Sequence, residues 1–145
     1  MLSEEVALAS ISRSRLKEMS LEELEETLAW AEKENADYFR RCLEDGVLPN
    51  GVIAGTSCGL AQEVEAEIIQ RKFKDPRFQA EMEAELEAVK AQVRQQKEQK
   101  GYVGYPDFRS WCFLIVTGKR DPEFIREMFS EQDARWILGS RRLFH

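Results

Sequence analysis

The chain has 145 residues, 43% of them hydrophobic and 33% charged, with a formal net charge of −6. A chain of this length buries about two-thirds of its unfolded surface, so it needs no disulfide or metal staple to hold a core. Its longest strongly apolar run, residues 111–116, is far too short to cross a bilayer.

Cys42, Cys58 and Cys112 are odd in number and widely spaced. They read as small apolar residues in a reducing compartment, not as a disulfide framework. The opening Met1-Leu2-Ser3-Glu4-Glu5 is acidic where a secretory signal would be basic, and cytoplasmic residence is the expectation. Charge is uneven along the chain: residues 1–50, 51–92 and 93–145 carry −6, −3 and +3.

In chain order, Ser3 can cap a first helix, with Val6, Ala7, Ala9 and Ile11 on its apolar face, running to about Lys17. A stronger start follows. Ser20 and Glu23 form a capping box, in which the hydroxyl accepts from the N–H three residues on and the glutamate reaches back. Met19 and Leu24 stand at hydrophobic-staple positions, and the helix is expected from Leu21 to about Leu43, with Gly46 as its stop. Leu21, Leu24, Leu28, Ala31, Asn35, Tyr38 and Cys42 alternate by three and four, a heptad seam with one polar member at Asn35. Leu21, Leu24, Leu28, Asn35 and Tyr38 are therefore the candidate oligomer seam of a homodimer. Trp30, Phe39 and Leu43 widen the apolar surface beyond a seam, which favours packing within one bundle.

Pro49-Asn50-Gly51 signals a turn, and Gly51, Gly55 and Gly59 read as a flexible connection, with Ser57 capping the next helix. Asp75-Pro76 caps and opens a long helix over about 76–100, with Phe78, Met82, Leu86, Val89 and Val93 on one stripe. Acids dominate its start and bases its end, which suits the helix dipole, and Gly101 closes it. Its last turns, from Gln92 on, are poor in apolar residues and are expected to project into solvent.

Nine of the 14 aromatic residues lie between Tyr102 and Phe144. Residues 108–116 read as helix or buried strand, with helix favoured. Asp121-Pro122 starts a short helix, and Ser130 starts a last one whose Trp136, Ile137 and Leu138 look like core. The tail from Arg141 to His145 is basic and amphipathic. The expected fold is all-α: a helical bundle with two long helices, about 21–43 and 76–100, and an aromatic-rich C-terminal cluster of short helices. Composition divides it into an acidic long-helix region, 1–100, and a mildly basic helical region, 101–145, read together as one structural domain.

Residues 11–41, through the helix start Ser20 to Leu28, resemble the oligomerisation region of histone-like nucleoid-structuring proteins. Nothing later in the chain resembles that family's DNA-binding loop, and no family is assigned on this likeness.

Chemistry finds little footing. Gly55-Thr56-Ser57-Cys58-Gly59 has the Gly-x-Ser-x-Gly form of a nucleophile elbow, but the single histidine is His145 and no run of strands is present to hold an elbow. No P-loop, zinc-ligand spacing or Glu-x-x-His pair occurs, so no catalysis, cofactor or metal is expected. The expected function is that of a small acidic protein-binding module, an adaptor, inhibitor or regulatory subunit that masks or bridges another protein. Candidate partner-binding residues are Tyr102, Tyr105, Arg135, Arg141 and Arg142, the aromatics and bases of the C-terminal part. The alternative is a nucleic-acid-associated protein using the basic C-terminal segment, which the overall acidity disfavours.

Overall fold

Short polar side chains placed just before apolar stretches set the helix boundaries. The computed structural model describes residues 13–48 and 51–140, with side chains described at 15–48 and 59–140. Among these residues lie seven α-helices and one 3-10 turn, and no strand. The fold is all-α. In chain order the helices are α1 (Arg13–Glu18), α2 (Leu21–Asp45), α3 (Gly51–Lys74), α4 (Gln79–Lys100), α5 (Phe108–Arg120), α6 (Pro122–Met128) and α7 (Glu131–Gly139). The chain divides into two compact units, Met1–Arg71 and Lys72–His145.

In the first unit, α2 starts at the expected capping box. Ser20 Oγ accepts from the Glu23 N–H at 3.1 Å, and the Ser20 N–H donates to Glu23 Oε1 at 3.2 Å. The Ser20 N–H, then the Ser20 side chain, hold the Glu23 carboxyl below its ordinary value. At the other end Gly46 adopts φ 66°, where a side chain would be strained, and its N–H closes the last turn. Leu16, Leu24, Val64 and Ile68 are buried together, with Met19, Leu21, Leu28 and Leu60 packed around them. The first helix of the sequence reading falls mostly outside the described residues; α1 is its described end.

Arg71 fastens α1 to α3. Its guanidinium donates to the carbonyls of Leu16 and Lys17 at 2.8 Å each and to that of Met19, while Nε pairs with Glu67 at 3.0 Å. These carbonyls lie at the end of a helix, where of the three Leu16 O also accepts from the Met19 N–H at 3.3 Å, so a cation here answers both the hydrogen-bonding deficit and the dipole.

The glycine-rich stretch is not the expected loop. The backbone is helical from Gly51 through Gly55 and Gly59 to Lys74, so Ser57 lies inside α3 and not at the start expected of a cap. Each glycine costs about 1 kcal/mol of propensity, yet propagating a helix from the well-formed 60–74 segment requires no second nucleus. A nucleophile elbow needs a sharp strand-to-helix turn, which this backbone does not make.

In the second unit, Asp75 accepts from the Arg77 N–H at 3.0 Å, and Pro76–Phe78 forms a tight 3-10 turn before α4 begins. The start expected at Pro76 is thus displaced to Gln79, because the first turn closes i to i+3. Met82, Leu86 and Val93 are buried along α4 as their spacing predicts, and Gly101 at φ 78° ends it. Asp107 caps α5 by accepting from the Ser110 N–H at 2.8 Å, which decides the helix-or-strand ambiguity at 108–116.

Residues 112–118 of α5 are buried on every side, the mark of a central helix. Leu114 joins Val93 of α4, Phe124, Ile125 and Phe129 around α6, and Ala134 and Ile137 of α7 in one core. Gly118 is where the neighbouring side chains come closest: a Cβ there would stand 3.1 Å from Leu138 Cδ2. Arg109 reaches Glu85 at 2.6 Å and Arg120 reaches Glu83 at 2.6 Å, tying α5 to α4.

Candidate functional site

The segment between α4 and α5 positions the most exposed aromatic residues of the second unit. Gly101 donates to Lys97 O at 2.9 Å, and the Gly104 N–H donates to Gln96 Oε1 at 3.2 Å, so the chain folds back against the end of α4. This end, expected to stand bare in solvent, is instead partly covered: Val93 is buried and Gln96 half-buried. Pro106 and the Asp107 cap then fix the entry into α5. Tyr105 is held between these anchors, 88% exposed.

Beside it, Trp136 of α7 is 54% exposed, contrary to the expectation that it is core. Helical geometry explains the correction. Ala134, Ile137 and Leu138 share the inward face, and Trp136, a residue before Ile137, is turned about 100° away from it. The Trp136 ring lies 4.3 Å from that of half-buried Trp111, tilted by 35°, and 6.3 Å from that of Tyr105 at 67°. The three rings form a corner.

The corner borders a small, open groove lined by Phe129, Ile137, Val103, Pro106 and the three aromatics. Asp133 is its one charged lining residue. The Asp133 N–H is used in capping by Ser130 Oγ, at 3.2 Å; its carboxylate has no ion-pair partner among the described residues. A concave apolar surface with one oriented polar group is the usual construction of a binding pocket.

No known protein family, curated protein or solved structure matches the chain.

The sequence-predicted residues fall in different places. Tyr105 lines the groove, and Tyr102 is exposed near it in sequence but does not line it. Arg135 is exposed and paired with Glu131 at 2.9 Å, while Arg141 and Arg142 lie outside the described residues. Among the seam residues, Leu24 is fully buried in the first unit, and Leu21 and Leu28 pack against the same core. Asn35 and Tyr38 are half-buried, and the Tyr38 ring sits 5.8 Å from Phe39. Beyond them, Phe39 and Leu43 of α2 and Val47 and Leu48 just after it are exposed apolar residues.

Electrostatics separate the units. Met1–Arg71 holds 15 acids and 7 bases, giving −8, and Lys72–His145 holds 12 acids and 14 bases, giving +2. Arg109, Arg120, Arg126 and Arg135 of the second unit each sit on a glutamate, which lowers the potential a phosphate backbone would meet. Trp111, Asp133 and Trp136 were not among the residues singled out from sequence. The signal for Trp136 was present in its helical phase; that for Asp133 needed the groove.

Proposed function

We propose that this protein is a binding module that masks or bridges a partner protein, gripping it through the groove of Tyr105, Trp111 and Trp136. The observation that carries this reading is the adjacent exposure of Tyr105 and Trp136 beside an apolar groove, on a frame of packed helices. Large aromatics anchor interfaces out of proportion to their number, because they bury much area with few rotatable bonds. At about 200 Å² per aromatic side chain, the two residues leave roughly 300 Å² open. Covering it is worth on the order of 7 kcal/mol gross. Association and ordering costs reduce this to the few kcal/mol typical of a hot spot.

The test compares capture by the immobilised protein with capture by its Trp136→Ala and Tyr105→Ala variants, from a lysate of the source cells. A partner retained by the parent and lost from both variants supports the reading. Equal retention by all three sinks it, and nuclease-sensitive retention favours the nucleic-acid alternative.

A further inference from the structure

Four aromatic rings of the second unit are covered by the chain's own cations. Lys72 and Arg77 lie over Phe78, at 5.1 and 5.4 Å from its centroid. Lys90 and Arg94 lie over Phe124 at 5.2 and 5.1 Å, Arg109 over Phe113 at 5.6 Å, and Arg120 over Phe73 at 5.4 Å. Tyr105, Trp111 and Trp136 have no cation over them among the described residues. Tryptophan has the most attractive face of the aromatic side chains for a cation, and both tryptophans of this unit are among the rings left open.

The charge of the groove agrees. Asp133 is its only charged lining residue, and its carboxylate is not committed to any described base. Arg135, the nearest base in sequence, is held on Glu131 and does not line the groove. An anionic guest would meet a carboxylate beside electron-rich rings. A purely apolar guest would leave Asp133 at its side without a partner, a cost when water is excluded.

We propose that the groove takes an arginine side chain from a basic segment of the partner protein, an inference that rests on the groove being the partner contact. The flat guanidinium stacks on Trp136 in the corner with Tyr105, and its N–H fork donates to the Asp133 carboxylate. Arginine suits this better than lysine, since its planar group is weakly hydrated and can stack and pair at once. The chain's net charge of −6 favours approach of a basic segment.

The test is a nuclear magnetic resonance titration of the full chain with three blocked pentapeptides, Gly-Gly-X-Gly-Gly, in which X is arginine, norleucine or glutamate. The arginine peptide is expected to move the indole N–H signals of Trp111 and Trp136 in saturable fashion. Its affinity should exceed that of the norleucine peptide about tenfold, as a desolvated cation–ring contact with an ion pair implies. Asp133→Asn should lower arginine affinity several-fold and leave norleucine binding unchanged.

Equal binding of arginine and norleucine peptides would overturn the inference while leaving an apolar partner contact standing. Preference for glutamate, or no indole response to any peptide at millimolar concentration, would also overturn it. Loss of capture without Trp136, as described above, tests the partner contact independently of these peptides.

Discussion

Replacing Arg71 with alanine removes a guanidinium that serves three carbonyls at the end of α1 and pairs with Glu67. Hydrogen bonds involving a charged group contribute about 1.5–3 kcal/mol each when well shielded. The Arg71 side chain is 27% exposed, so water replaces part of each bond, and about 1 kcal/mol per carbonyl is the better figure. The loss then totals about 3 kcal/mol for the first unit, to which the orphaned Glu67, 15% exposed, adds a smaller penalty. For a unit of this size the corresponding drop in midpoint is roughly 12–24 °C. Arg71→Lys keeps the charge but not the fork, and should lose about half as much. Amide hydrogen exchange resolved by segment is the assay, because two units need not unfold together. Exchange should accelerate in residues 13–24 and 60–71, with 108–137 unchanged. A change below about 0.5 kcal/mol in those first segments would refute the capping role, since surface substitutions without structural consequence fall in that range.

Gly118→Val should destabilise the second unit by about 1–3 kcal/mol through overpacking against Leu138, Ile125 and Ile137, read by urea titration. Gly118→Ala should fall near neutral, because a gain of about 1 kcal/mol in helix propensity offsets the push on the flexible tip of Leu138. The Glu23 carboxyl is held below 4.5 by the Ser20 N–H and then by the Ser20 hydroxyl. Its contribution to the start of α2 is therefore intact above pH 4.5 and is lost as pH falls through the lowered folded value. Ser20→Ala should cost about 1 kcal/mol at neutral pH and shift the onset of acid fraying of α2, followed by the amide signals of residues 21–24, to higher pH.

Local signals in the sequence carried most of the helix boundaries. Ser20, Asp107, Asp121 and Ser130 each accept from an N–H of the helix that follows, and Gly46 and Gly101 take the left-handed conformation at helix ends. These depend on neighbours within a few residues, which is why they were legible. Gly51–Gly59 was misread because a glycine's local preference is the same in a loop and in a helix sustained from its far end. Trp136 was misread because three consecutive apolar residues were taken as one face, whereas a helix turns about 100° per residue. The role of Arg71 at the end of α1 could not have been found: the carbonyls that it serves lie more than 50 positions away in the chain. The groove was half legible, since Tyr105 was singled out while Trp111, Asp133 and Trp136 meet it only through the packing of α5 and α7.

Site-specific photocrosslinking tests the central claim most directly. A benzophenone side chain is placed in separate variants at Tyr105, at Trp136 and, as an exposed control in the first unit, at Leu43. The proposed function predicts a discrete protein adduct from positions 105 and 136 and none of that mass from position 43. An adduct formed only from position 43, or adducts to nucleic acid alone, would contradict it.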